Sequence, residues 1–197
     1  AFGNSEIDSV LIAKAIAQFE RTLISNNSKY DQVLRGEAYL TKDEYRGFIL
    51  VNDQTKGDCL HCHTTDSDAL GTTTRFSNNG LDSALSPEDY VDHGRAEITG
   101  RNKDVGMFRI PSLRNIAVTA PYMHDGRFNS LDEVLDFYSE DVNLSYNIDS
   151  KMVSAHKGGV HLTQDEKEKI KAFLLTLTDS VFLKNPEFGN PFLESIR

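Results

Sequence analysis

Cys59-Leu60-His61-Cys62-His63 is the stretch on which the reading of this chain turns. C-x-x-C-H is the attachment signature of covalently held c-type haem. Two thiols can add to the haem vinyl groups, and the imidazole that follows at once is placed to bind the iron from one side. Cys59 and Cys62 are the only cysteines in 197 residues, so no thiol remains for a disulfide framework. A thioredoxin-like C-x-x-C would ask for a preceding strand in a βαβ setting. A zinc site would ask for a second ligand cluster. Neither is present, and His93, His124, His156 and His161 are scattered. The motif therefore predicts one covalent haem c, anchored by Cys59 and Cys62, with His63 as the proximal iron ligand.

Chain length and composition fit a single domain organised by that haem. We read a helical lead-in over residues 1–40, a haem-binding core over 41–180 and a C-terminal tail over 181–197. Hydrophobic residues make up 39% of the chain and tryptophan is absent. A buried porphyrin would supply much of the apolar surface that side chains do not, so the chain without haem is expected to fold poorly. The formal net charge of −9 argues against nucleic acid as a partner and for attraction to a basic protein, such as a small cationic electron donor. No apolar stretch is long enough to cross a bilayer, and Ala1-Phe2-Gly3-Asn4 lacks the regions of a signal peptide. Because c-type haem is normally attached outside the bacterial cytoplasmic membrane, a processed or trimmed chain in the periplasm is expected.

The local signals are helical. Thr41-Lys42-Asp43-Glu44, Ser130-Leu131-Asp132-Glu133 and Thr163-Gln164-Asp165-Glu166 have the capping-box form, in which hydroxyl and carboxylate satisfy opposite backbone amides. Ser86-Pro87-Glu88-Asp89 adds a start with proline at the first helical position and predicts a short helix to about His93. Residues 7–24, 44–51 and 169–177 carry apolar side chains at mixed three and four spacings. No alternating run predicts a convincing sheet, although residues 109–116 suit an extended segment. Residues 64–80, rich in Thr, Ser, Asp, Asn and Gly, predict a surface loop. The expected class is all-α, a cytochrome c-type haem domain with long loops and extra terminal helices.

Several motifs, in order, resemble one family. They are Ala17-Gln18-Phe19-Glu20-Arg21-Thr22-Leu23-Ile24-Ser25, Leu34-Arg35-Gly36, C-x-x-C-H, Ile110-Pro111-Ser112-Leu113-Arg114-Asn115-Ile116, Thr119-Ala120-Pro121-Tyr122-Met123-His124-Asp125-Gly126-Arg127-Phe128, and Ala172-Phe173-Leu174-Leu175-Thr176-Leu177-Thr178-Asp179. The resemblance is to the bacterial di-haem cytochrome c peroxidases and their relatives, enzymes like the tryptophan-tryptophylquinone maturase of methylamine dehydrogenase. It runs from about residue 15 to about residue 180. Members carry two C-x-x-C-H motifs, an N-terminal peroxidatic haem and a C-terminal electron-transfer haem. This chain has one and resembles the C-terminal half, which implies a fragment, a cleaved chain or a split enzyme.

The resemblance implies an enzyme-associated domain: part of a cytochrome c peroxidase-type oxidoreductase that reduces hydrogen peroxide with electrons from a cytochrome c or cupredoxin. Its missing partner would be the N-terminal peroxidatic haem domain. In peroxidases the second axial ligand of this haem is a methionine; the matching position here, fourteen residues beyond His124, is Tyr138. A tyrosine there resembles the maturase branch, in which histidine and tyrosine bind this haem. A thioether raises the reduction potential and a phenolate lowers it, so this ligand decides the chemistry. The alternative is that Tyr138 is an ordinary core tyrosine and Met152 is the ligand, with Met107 and Met123 weaker candidates.

His124 is read as a structural or electron-path residue near the haem. The resemblance also implies a calcium ion between the two haem domains, with the backbone oxygens of Thr119 and Pro121 in its shell. Calcium takes about six to eight oxygens, so this chain alone would hold a partial site. Two further readings remain open at this point, a plain electron-carrier cytochrome and a haem-based sensor.

Overall fold

A computed structural model describes residue 3, residues 6–63 and residues 75–190. The predicted loop over 64–80 and tail over 181–197 thus lie partly outside the described residues. The helices are α1 Ser9–Glu20, α2 Lys29–Leu34, α3 Lys42–Asn52, α4 Cys59–Cys62, α5 Ala96–Thr99, α6 Leu131–Glu140, α7 Gln164–Leu175 and α8 Ser180–Leu183. Strands β1 Phe76–Ser77 and β2 Phe108–Arg109 pair antiparallel, Phe76 opposite Arg109 and Ser77 opposite Phe108. The fold is mostly helical with little sheet, in keeping with a cytochrome c-like class.

Two capping boxes close as written in the sequence. Thr41 Oγ1 accepts from the Glu44 amide at 3.3 Å while Glu44 Oε2 accepts from the Thr41 amide at 2.6 Å. Thr163 and Glu166 repeat the exchange at 3.3 and 2.9 Å. At α6 the Ser130 hydroxyl caps Glu133 at 3.2 Å, but the Glu133 carboxylate reaches one residue further back, to the Asn129 amide at 2.8 Å.

Helices α3 and α7 pack tightly because Gly47 has no side chain: a Cβ there would sit on the Lys169 carbonyl and against Phe173. Leu50, Val51, Ile170, Phe173 and Leu177 are almost wholly buried in the resulting core, and Tyr30 of α2 meets Phe173 edge-on at 5.3 Å between centroids. Cys59 and Leu60 pack on the same core. The chain leaves α3 through a turn closed by the Gly57 amide on the Leu50 carbonyl at 3.0 Å, and Asp58, at φ +47°, redirects it into α4. The Lys56 ammonium, 2.9 Å from Glu166, ties the turn to the start of α7.

A buried polar knot joins the ends of the chain. Asp179 accepts from the amides of Asn27, Val181 and Phe182 at 2.9, 3.1 and 2.9 Å and from the Ser25 hydroxyl at 3.2 Å. Asn115 completes it, taking the Asp179 amide at 2.8 Å and donating to Ser25 at 3.1 Å. Segment 110–116 is thereby fastened to both the lead-in and α8.

Three expectations are corrected. The helix expected over 7–24 ends at Glu20, where the Thr22 hydroxyl takes the Phe19 carbonyl at 2.7 Å and competes with further helical bonds. The helix expected from Ser86 to His93 is one 3-10 turn, Pro87–Asp89, because Tyr90 turns extended to bury its ring beneath Gly106. A short sheet forms where none was expected, pairing residues far apart in the chain. Helix α2 is an addition; its box, Ser28 with Asp31, uses the shorter acid at the third position. Among the described residues no helix is long and apolar enough to cross a membrane.

Candidate haem site

The two thiols sit one turn apart on α4, whose end is closed by the His63 amide on the Cys59 carbonyl at 2.8 Å. Burial pushes the Cys59 thiol up to about 12 and raises that of Cys62 as well. Cys59 faces the α3–α7 core. Lys151 donates to the His61 carbonyl at 3.0 Å, a cation on the last turn of this short helix. The His61 ring turns to the Asp58 carboxylate at 3.1 Å.

The His63 imidazole has its Nδ1 2.8 Å from the Pro111 carbonyl oxygen. Burial lowers its pKa and the Pro111 contact works the other way; the net direction is down. A neutral ring that spends its Nδ1 proton on a carbonyl leaves Nε2 as a free lone pair, the form in which histidine binds metals. Pro111 holds its place because Ile110 bonds to the Arg75 carbonyl at 3.1 Å and Arg114 pairs with Asp31.

Tyr138 lies near the end of α6, beside Phe137 with ring centroids 4.9 Å apart. Its oxygen accepts from Asn79 Nδ2 at 3.0 Å. Burial pushes the phenol up to about 12; the Asn79 bond opposes this, while charge on Cys59 or Cys62 would add to it. Met123, Phe128, Tyr138, Ile148 and Met152 pack on a small core of Leu81, Phe137 and Val142. Met123 stands at φ +71°, a conformation uncommon for a residue with a Cβ.

Tyr138, Met123 and Met152 share one small cluster while Cys59 packs on the α3–α7 core, and Lys151, next in the chain to Met152, reaches the attachment helix through the His61 carbonyl. Met107 lies elsewhere, its carbonyl accepting from Arg95 at 2.9 Å. His124 stacks flat on Phe108, 3.6 Å between centroids at 9°. Thr119 and Pro121 are exposed on either side of Ala120, whose bond to Pro121 is cis. Among the described residues no three His, Cys, Asp or Glu side chains gather to hold a metal ion.

These donors fit a c-type haem. Two thiols on one turn, followed by an imidazole with one nitrogen oriented and the other free, are parts such a group requires. They do not fit zinc, which would want four close donors. Sequence reading missed three contributors. The Pro111 carbonyl is backbone and has no residue signal; Lys151 and Asn79 are polar residues in loops, and their pairing with His61 and Tyr138 spans 90 and 59 positions.

A family model described as di-haem cytochrome c peroxidase matches residues 1–39. The cytochrome c551 peroxidase of Nitrosomonas europaea is 33% identical over 195 residues, covering 98% of this chain and 50% of that protein. The methylamine utilization protein MauG of Methylophilus methylotrophus is 28% identical over 178 residues, 90% of this chain and 49% of that one. The chain thus spans about half the length of these relatives. A crystal structure of a MauG-like protein associated with microbial copper homeostasis superposes with a TM-score of 0.73 at 39% identity, over 97% of this chain and 64% of that one. The diheme peroxidase BthA of Burkholderia thailandensis shares the fold at TM-score 0.61 and 23% identity, over 80% and 47% of the two chains.

Proposed function

The chain belongs to the family of di-haem cytochrome c peroxidases and MauG proteins, and from that premise we propose that it is the electron-transfer haem domain of such an enzyme. Cys59 and Cys62 would anchor a haem c, and the His63 Nε2 and the Tyr138 oxygen would hold its iron. A haem held there supplies one-electron redox chemistry to the whole enzyme, which reduces hydrogen peroxide to two waters with two electrons and two protons. The residues of this chain orient and tune: Pro111 fixes the His63 ring and Lys151 braces the attachment helix.

The observation that carries the ligand choice is the setting of the Tyr138 oxygen. It is half-buried and met by a hydrogen-bond donor, and among the described residues no acceptor takes its proton. Iron in place of the proton resolves the omission. Met152, in the same apolar cluster, is the rival. Tyr138→Phe should raise the reduction potential and open a coordination position, read by redox titration and ferric absorption spectra. An unchanged spectrum in Tyr138→Phe with a loss in Met152→Ala would install the rival.

The tyrosine setting favours a second reading of the same domain, a maturase-like oxidase with His/Tyr ligation in place of a plain peroxidase. Full-length enzyme that oxidises aromatic side chains of a protein substrate when given peroxide would establish it; fast turnover with a reduced small donor would favour the peroxidase.

The partner we propose is an upstream haem domain, the peroxidatic half of the enzyme. Helix α1, inside the family-matched residues 1–39, buries none of its residues, and Ile12, Ile16 and Phe19, on one face at four and three spacings, are each at least half exposed. Such a contiguous apolar face suits an interface. Calcium between the halves would take the Thr119 and Pro121 carbonyl oxygens, with the remaining ligands from the upstream domain and water. The acidic surface suits a small basic cytochrome c or cupredoxin as donor, and covalent haem chemistry suits the periplasm.

A further inference from the structure

Asn79 stands between two acceptors. Its Nδ2 is 3.0 Å from the Tyr138 oxygen and 3.7 Å from the Met123 sulfur. A thioether sulfur accepts and never donates, so the amide turns its nitrogen, not its oxygen, to this corner. Its two hydrogens then serve the sulfur and the phenol. Among the described residues Tyr138 is thus met by a donor alone, which complements a phenolate oxygen and leaves a phenol's own proton unused.

The backbone that carries Asn79 is fixed from every side. Asn78, almost fully buried, sets its Nδ2 2.7 Å from the Tyr90 hydroxyl, 3.1 Å from the Ser145 hydroxyl and 3.0 Å from the Asn147 side-chain oxygen, and its own side-chain oxygen accepts from the Gly80 amide at 2.9 Å. Gly80, at φ +73°, lies so close to Asn143 that a Cβ would meet the Asn143 carbonyl oxygen at 2.5 Å. Asn143 in turn bonds the Gly80 carbonyl through its amide at 2.9 Å. A segment held this firmly aims its one free polar head with little loss of side-chain freedom on binding.

We propose that Asn79 is a positioning residue that sets the reduction potential of this haem by donating to the iron-bound oxygen of Tyr138. The inference rests on Tyr138 as the iron ligand. A hydrogen bond on a phenolate draws charge from the oxygen, weakens its donation to ferric iron and raises the potential above that of an unbonded phenolate. Tyrosine ligation pulls the potential down, and Asn79 moderates that pull.

The test uses the haem-loaded chain and reads the midpoint potential and the phenolate-to-iron charge-transfer band, not turnover. Asn79→Leu, close to isosteric, should lower the potential and move the band to longer wavelength with haem content unchanged. Asn79→Gln, which keeps an amide, should recover part of the shift. In a Tyr138→Phe background, Asn79→Leu should change the potential no further. An unmoved potential and band in Asn79→Leu would overturn the proposal, as would an equal shift in the Tyr138→Phe background. If Asn79→Leu does not retain haem, Asn79→Ala is judged by the same criteria. A Tyr138→Phe variant identical to the parent would bring down the ligation reading and this inference together, whereas a changed Tyr138→Phe beside a silent Asn79→Leu removes only the role of Asn79.

Discussion

Arg114 lays its guanidinium against Asp31 in a two-point contact, Nη1 2.8 Å from Oδ2 and Nη2 2.7 Å from Oδ1. Three residues before Arg114 is Pro111, whose carbonyl orients His63, so the pair fastens the histidine's support to α2. Both side chains are largely buried, at 13% and 8% exposure. Removing one partner of such a pair leaves the other charge uncompensated, and Arg114→Met is expected to cost about 3 kcal/mol in denaturant unfolding of the haem-loaded protein. The double variant Asp31→Asn with Arg114→Met should recover part of that loss.

The same pair has a pH signature. Burial opposes ionisation of Asp31, yet hydrogen bonds from Arg114 and Ser28 outweigh it and hold the carboxyl below the ordinary aspartate value. The folded state therefore gives up this proton at lower pH than the unfolded chain. Its stabilising contribution is complete above about pH 4, the unfolded value, and is lost as pH falls through the lower folded value. Asp31→Asn should flatten the acid limb of the stability curve; an unaltered limb would assign acid sensitivity to other carboxylates.

Haem attachment is expected to be covalent. One haem per chain should stay with the protein through acid-acetone extraction, because thioether bonds survive denaturation. Replacing Cys59 and Cys62 by Ala should release it and leave the chain largely unfolded by circular dichroism, since the porphyrin would supply much of the buried apolar area. Haem that extracts from the parent protein would end the c-type reading.

Gly47 is predicted to be intolerant of even one methyl group. A Cβ there falls on the Lys169 carbonyl, which belongs to helical backbone and cannot swing away. Gly47→Ala should destabilise by about 2 kcal/mol, the usual range for overpacking, measured by urea midpoint. Gly36→Ala, where a Cβ meets nothing but φ is +75°, should cost about 1 kcal/mol from backbone strain alone.

The chain on its own is expected to be a poor peroxidase. Peroxide cleavage needs an open iron position beside groups that move protons and stabilise charge, and Tyr138 would close that side. Adding the upstream haem domain should restore turnover with a reduced basic donor, at rates that fall with ionic strength. Rapid saturable peroxide reduction by this chain alone would place the active site at the iron of His63.

Sequence alone was sufficient wherever the cause is local. The spacing of Cys59, Cys62 and His63 is a short-range chemical statement, and Thr41 with Glu44 or Thr163 with Glu166 close within one turn of the chain that encodes them. Even the misses near helix ends are instructive: Ser28 and Asp31 form a box with the shorter acid, and the reach of Glu133 to Asn129 shows that the same letters admit two bonding patterns. Helix existence is legible because hydrogen bonds of period four are written into neighbouring residues.

What the sequence could not decide is everything that depends on distant segments meeting. Tyr90 leaves its expected helix because burial beneath Gly106 outweighs one more turn, and β1 finds β2 across 32 positions. The partner of the Tyr138 hydroxyl, Asn79, sits 59 residues away in a loop with no helical or strand signal of its own. The orientation of His63 depends on a backbone carbonyl at Pro111, an atom that every residue possesses and no pattern marks. The motif determined that two thiols and an imidazole would stand together. Tertiary packing alone decided how they are buried and oriented, because desolvation and hydrogen-bond complementarity are set by the neighbours folding brings within a few ångströms.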